Sequence, residues 1–131
     1  MSFEATFVNP KGRIGRNPFV LALVVLLAVA AFYVLLAKAG RNGDWVLLTL
    51  LFPGLVLHAR RLHDMGQTAW LLLAPAALII AAAWMHLFGQ EGQVQNGVAL
   101  AALVVSAGFV LWCCVAKGQA EANKFGEPAA A

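Results

Sequence analysis

Arg60, Arg61, His63 and Asp64 fall within five residues of one another, with His58 just before them and long apolar runs on both sides. On a helix continuing through Asp64, Arg60, His63 and Asp64 share one face, being three and four residues apart. Arg60 is then expected to pair with Asp64, and Arg61 to project nearer His58. Three chemistries fit these residue types. Guanidinium groups bind phosphate in a fixed, often bidentate geometry, so the arginines suit an anionic headgroup. His63 with Asp64 offers a base and an orienting carboxylate, or metal ligands together with His58. The third reading is structural: arginines mark one side of a membrane, Asp64 neutralises one of them, and the residues after it reverse the chain. In that reading Gly66 ends the helix in a left-handed cap and Thr68 caps the next one. Catalysis is the weaker reading, because neighbouring helix residues diverge and no Ser or Cys nucleophile stands near. A metal would need more ligands than the loop offers.

The elements that must position this cluster are oily. Of 131 residues, 62% are hydrophobic and 11% charged, and the mean hydropathy is +0.80. Soluble domains run at roughly 45–50% apolar and about 25% charged. A soluble protein of this size has too little interior to hide so much apolar surface. The chain reads as an all-α, polytopic membrane protein, a single domain over 1–131 built as a bundle of four transmembrane helices. Its spans are expected at about 19–37, 45–61, 69–87 and 98–116, with a leader over 1–18 and a tail over 117–131. Phe19–Ala37 carries no charge and, at about 1.5 Å per residue, spans roughly 28 Å of a roughly 30 Å hydrocarbon core. It is longer than the roughly 7–15 apolar residues of a signal peptide, so the small-x-small triplet Ala37-Lys38-Ala39 is not expected to mark cleavage. Pro18 suits the first turn of this helix and Asn17 its cap. The second run, Trp45–Ala59, is short unless Arg60 and Arg61 lend their apolar stems and leave their heads among lipid headgroups. Pro53 and Pro75 are expected to bend the second and third helices. Cys113 and Cys114 are neighbours about 100° apart on a helix and read as small apolar residues. A net charge of +3 is too small and dispersed for nucleic acid.

With four spans, both termini and the central loop share one side. That side holds Lys11, Arg13, Arg16, Arg60, Arg61, Lys117 and Lys124, against Lys38 and Arg41 on the other. The excess of Lys and Arg predicts that this side is cytoplasmic. Leader, central motif and tail, far apart in sequence, are then expected to meet at one membrane surface.

Those three segments also carry a family resemblance. Gly12-Arg13-Ile14-Gly15-Arg16 matches a leader of Gly-Arg-Ile-x-Arg form. Arg60-Arg61-Leu62-His63-Asp64, with Gly66 and Trp70, matches a central Arg-Arg-Leu-His-Asp-x-Gly followed by small residues and Trp. Asn123-Lys124-Phe125-Gly126-Glu127-Pro128 echoes a closing Asn-x-Phe/Tyr-Gly-x-x-Pro or a near variant, with a shorter spacing to Pro128 than in some relatives. The chain therefore resembles the small bacterial inner-membrane family catalogued as domain of unknown function 805, the YhaH-like proteins. It departs at Gly15, where Ser is frequent, at Val20, where an aromatic is usual, and at Thr68-Ala69 in place of Ser-Gly. The resemblance implies architecture and an inner-membrane location, and brings no activity with it; the cytoplasmic placing of both termini rests on the Lys and Arg distribution.

The expected function is non-enzymatic: a cytoplasmic-interface site for an anionic headgroup or a protein partner, formed by Arg13, Arg16, Arg60, Arg61, His63 and Asn123. Gly12, Asp64, Gly66, Trp70, Phe125, Gly126 and Pro128 are its structural frame. No catalytic residue, metal or cofactor is expected. The expected partners are membrane lipids, anionic phospholipid among them; a homo-oligomer is permitted and nowhere demanded. The alternative is a subunit of an oligomeric channel or transporter, against which stands the lack of Asp, Glu, Lys and Arg inside the four apolar runs.

Overall fold

The computed structural model describes residues 2–38 and 43–129. Among them the regular structure is helical, and the only bridge of β type is the isolated pair Asn123–Gly126. A short helix α1 (Phe3–Phe7) precedes α2 (Arg16–Lys38) and α3 (Gly43–Asp64). A 3₁₀ turn at Ala69–Leu72 leads into α4 (Leu73–Leu87), and α5 (Gln93–Val115) follows. Among the described residues, three segments are long and apolar enough to cross a membrane: Arg16–Leu36, Ala69–Leu87 and Gln93–Val115. The fourth expected span, 45–61, falls in α3, which is not one of these three. Part of the expected turn between the first two spans, with Gly40 and Arg41, lies outside the described residues.

The prolines explain several helix boundaries. Pro18 stands in the first turn of α2, where a missing N–H is no loss. Because α2 already starts at Arg16, Asn17 lies inside that turn and is not the cap. Pro75 likewise proves to be in the first turn of α4, so it does not bend a helix interior. Its ring disfavours a regular α-turn at position 71, and the preceding residues form the 3₁₀ turn. The residue at the cap position of α4 is Leu72, which makes no side-chain cap hydrogen bond, so Thr68 is not the cap of that helix. Only Pro53 is truly internal, and α3 runs through it. α5 begins at Gln93, earlier than the apolar run at Val98, because polar residues extend the helix beyond its oily part.

The chain divides into two compact units, 1–69 with 116–131, and 70–115. In the first, α2 offers one narrow stripe, Phe19, Ala22 and Leu23, as buried surface, a spacing of three and four residues that faces one neighbour. α3 receives it. Gly54 faces Leu26 across this contact, where a Cβ would lie 3.5 Å from the leucine side chain, an ordinary van der Waals distance. Close packing over small residues is the force available to helices in lipid, where apolar burial between them gains little. Towards its C-terminus most of α3 is buried: Val56, Leu57, Ala59 and Leu62 join Arg60, Arg61 and Asp64, and Met65 just beyond the helix is buried too. Leader, α2 and tail surround it there. In the second unit α4 and α5 pack on each other. Most of their apolar side chains are exposed, as suits surfaces facing lipid.

Candidate functional site

The core of the first unit is a charged knot. Asp64 ends α3 with both carboxylate oxygens occupied. Oδ1 takes Arg13, with Nε at 3.1 Å and Nη2 at 3.1 Å; Oδ2 takes Arg61 Nη1 at 2.6 Å. The side chains are 1%, 0% and 5% exposed for Arg13, Arg61 and Asp64. Two guanidiniums around one carboxylate leave one positive charge in excess, and backbone carbonyls disperse it. Arg13 Nη1 donates to the carbonyls of Glu121, at 2.8 Å, and Gly126, at 3.3 Å. Its Nη2 donates to the carbonyl of Gln119. Arg61 Nη2 donates to the carbonyl of Ala116. Together with the contacts to Asp64, these use all five N–H groups of Arg13.

Arg60 does not pair with Asp64, as the spacing suggested. Its Nη2 donates to the Arg13 carbonyl at 3.1 Å, and Asp64 pairs instead with Arg61, three residues back, and with Arg13 from the leader. Nor do the Arg60 and Arg61 heads lie among headgroups, since both residues are buried. The leader runs along the end of α3: Ile14 N–H donates to the Arg60 carbonyl at 3.3 Å, and the Ile14 carbonyl lies 3.5 Å from Arg61 Nη1. Pro18, four residues on from Ile14, has no N–H to compete for that carbonyl. Ile14 and Leu62 are fully buried here.

The tail crosses the other side. Gln119 N–H donates to the Asp64 carbonyl at 2.8 Å. Asn123 is the clamp: Nδ2 donates to the His63 carbonyl at 3.0 Å and to Gln119 Oε1 at 2.7 Å, while Oδ1 accepts from Phe125 N–H at 2.9 Å. Asn123 and Gly126 exchange backbone hydrogen bonds across the turn, and this presents Phe125 to His63. The two rings stack at 3.9 Å with an angle of 11°, and Lys124 Nζ lies 5.0 Å from the Phe125 ring centre.

His63 Nδ1 donates to the Gly12 carbonyl at 3.2 Å, so His63 touches leader and tail at once. Burial holds its pKa below the usual imidazole range, and the charges of Lys124 and Arg60 push the same way, against the Gly12 hydrogen bond. Asp64 does not orient His63, because its oxygens belong to the arginines. His58, with its Nδ1 on the Gly54 carbonyl at 2.7 Å and its ring edge-on to Phe19 at 5.2 Å, is engaged elsewhere.

Two glycines are required by shape. Gly66 has φ +74°, the left-handed conformation expected after α3. Gly118 was not singled out in the sequence. A Cβ there would collide with the Asp64 carboxylate, so the tail backbone rests directly on that side chain. The tail carbonyls were missed too, because backbone acceptors leave no residue-type signature.

Of the expected headgroup ligands, the structure brings Arg13, Arg60, Arg61, His63 and Asn123 together. Arg16 is exposed and makes no ion pair or hydrogen bond among the described residues. Of the frame, Gly12, Asp64, Gly66, Phe125 and Gly126 belong to the knot. Pro128 is exposed beyond it, and Trp70 is 77% exposed and opens the second unit.

Leader, motif end and tail thus form one hydrogen-bonded object, and they lie within a single match to a known family. The model of the family described as protein of unknown function (DUF805) covers residues 7–127. The chain belongs to the DUF805 family. Among curated proteins it is 30% identical over 105 residues to "Uncharacterized protein YiiR" of Escherichia coli (strain K12), covering 69% of this chain and 70% of that one. The protein of the same name from Escherichia coli O157:H7 matches equally. No solved structure matches the chain. The family match begins at α1 and ends just after Gly126, so it takes in every residue of the knot.

Proposed function

We propose that this DUF805 member is a non-enzymatic, multi-pass protein of the bacterial inner membrane whose knotted face is cytoplasmic and receives anionic phospholipid headgroups. In this reading residues 45–61, within α3, are the fourth span, and both termini are cytoplasmic. The observation that carries it is the charge on that face. Arg13 and Arg61 gather at one carboxylate with Arg60 bound to the Arg13 carbonyl beside them, and Lys11, Arg16, Lys117 and Lys124 are exposed on the segments that wrap them. The cytoplasmic leaflet is anionic, and each Lys or Arg near it gains about 1 kcal/mol. The engagement of His63 and Asp64 with different partners supports a binding role over an acid–base one.

The test is a detergent-free purification followed by native mass spectrometry, which reports bound lipid and oligomer size together. The expected result is that Arg16→Gln combined with Lys11→Gln, Lys117→Gln and Lys124→Gln lowers the ratio of anionic to zwitterionic lipid retained. Equal ratios in variant and wild type would sink the reading.

A further inference from the structure

The two central arginines carry a possibility that their closed state hides. We propose that Arg13 and Arg61 form a cryptic site for a phosphate-bearing anion, and that tail residues 116–126 are its removable cover. The inference rests on reading this face as one that receives anionic headgroups, and it names the site and its control.

Four tail carbonyls, those of Ala116, Gln119, Glu121 and Gly126, take N–H groups from the two guanidiniums. Neutral oxygens thus stand where phosphate oxygens would make stronger, charge-assisted bonds. Asp64 cancels one guanidinium charge and holds both side chains in place, so an uncovered site would be preorganised and still carry net positive charge. Arg60, hydrogen-bonded to the Arg13 carbonyl, adds a second cation beside it.

The cover is built to leave. Residues 117–122 are exposed, and Phe125 is only half-buried, so the tail seals little apolar surface. Apart from the four carbonyl contacts that a phosphate would replace, its anchors are the Asn123 hydrogen bonds, the backbone bond from Gln119 to Asp64, and the His63–Phe125 stack. The arginines, by contrast, stay fixed through Asp64 and the leader when the tail is gone. A phosphate that displaces the tail exchanges carbonyl contacts for charged ones, and Lys117 and Lys124 move with the tail to the leaflet.

The test uses the full chain in nanodiscs of phosphatidylglycerol or of phosphatidylcholine, comparing wild type, Gly118→Ala, and Gly118→Ala with Arg13→Gln. The added Cβ at 118 meets Asp64 and lifts the tail; Phe125→Ala loosens the tail from its other end without touching Asp64. Hydrogen exchange over 117–126 reads the cover, and native mass spectrometry reads bound phosphatidylglycerol. The expected result is exchange about tenfold faster in either single variant (about 1.4 kcal/mol), with more phosphatidylglycerol retained and the gain abolished by Arg13→Gln. A loosened tail with no gain in lipid, or a gain that survives Arg13→Gln, overturns the proposal. Inorganic phosphate added to the phosphatidylcholine discs distinguishes the source. Faster exchange there assigns a free phosphate, faster exchange only in phosphatidylglycerol assigns the headgroup, and no response to either overturns the site. A wild type whose lipid ratio ignores the exposed lysines and Arg16 would defeat the broader function while leaving the Arg13-dependent gain to be read separately.

Discussion

Asp64→Asn preserves shape and deletes the one carboxylate paired with the knot's arginines among the described residues. Both carboxylate oxygens are taken, by Arg13 at 3.1 Å and Arg61 at 2.6 Å, so the variant deprives two buried guanidiniums of the carboxylate they share. Removing one partner of a buried pair costs about 3–5 kcal/mol. The asparagine oxygen and the surrounding carbonyls still accept hydrogen bonds, which favours the lower end, about 3 kcal/mol. That corresponds to more than a hundredfold in the folding equilibrium. Equilibrium unfolding in mixed micelles, followed by helical signal, measures it against Arg16→Gln, an exposed arginine expected to change stability by less than about 0.5 kcal/mol. Adding Arg13→Met to Asp64→Asn removes one of the orphaned charges and should recover part of the loss. The electrostatic account fails if Asp64→Asn matches Arg16→Gln, or if the double variant is as unstable as the sum of its parts.

Two further outcomes follow from the same geometry. Gly66→Ala should destabilise by about 1 kcal/mol, because φ is +74° there; Gly108→Ala, at an open helical position with nothing within 4 Å of the added carbon, should be neutral or stabilising in the same titration. Stability should also fall with pH below about 6.5, the ordinary imidazole value. His63 has its pKa lowered in the fold, so the unfolded chain binds the proton first. The contribution present above about 6.5 is then lost as pH falls towards the folded-state pKa. Lys124 and Arg60 face the ring, and His63→Gln should flatten this part of the thermal-denaturation profile.

Much of the helical plan was legible. Phe19–Ala37 is apolar, long and opened by a proline, and the helix found there, Arg16–Lys38, differs by a turn at each end at most. Gly66 was readable as a left-handed cap because few other residues tolerate that conformation. The meeting of leader, motif and tail was expected on the reading of four spans; the structure brings the three segments together by direct contacts among Arg13, Asp64 and the tail carbonyls. The partners of each charge were less legible. Helical spacing pointed Arg60 at Asp64, whereas Asp64 pairs with Arg61 and with a leader residue 51 positions away. Spacing ranks neighbours along one helix and is silent on a competitor arriving from elsewhere. The short helix Phe3–Phe7 was read as polar leader, although Phe3 and Phe7 stand four apart and their rings meet at 5.2 Å.

By itself, the sequence determined that this is a helical chain with segments suited to lipid, and which residues would crowd at one surface. Those properties are local: hydropathy over a window, a proline's missing N–H, a glycine's freedom. The tertiary structure alone decided that the arginines turn inward onto Asp64 and that tail carbonyls, not side chains, complete their hydrogen bonding. A guanidinium has five donors and no preference written in its neighbours. Which acceptors it meets depends on where three distant segments are brought together, and only the folded chain places them.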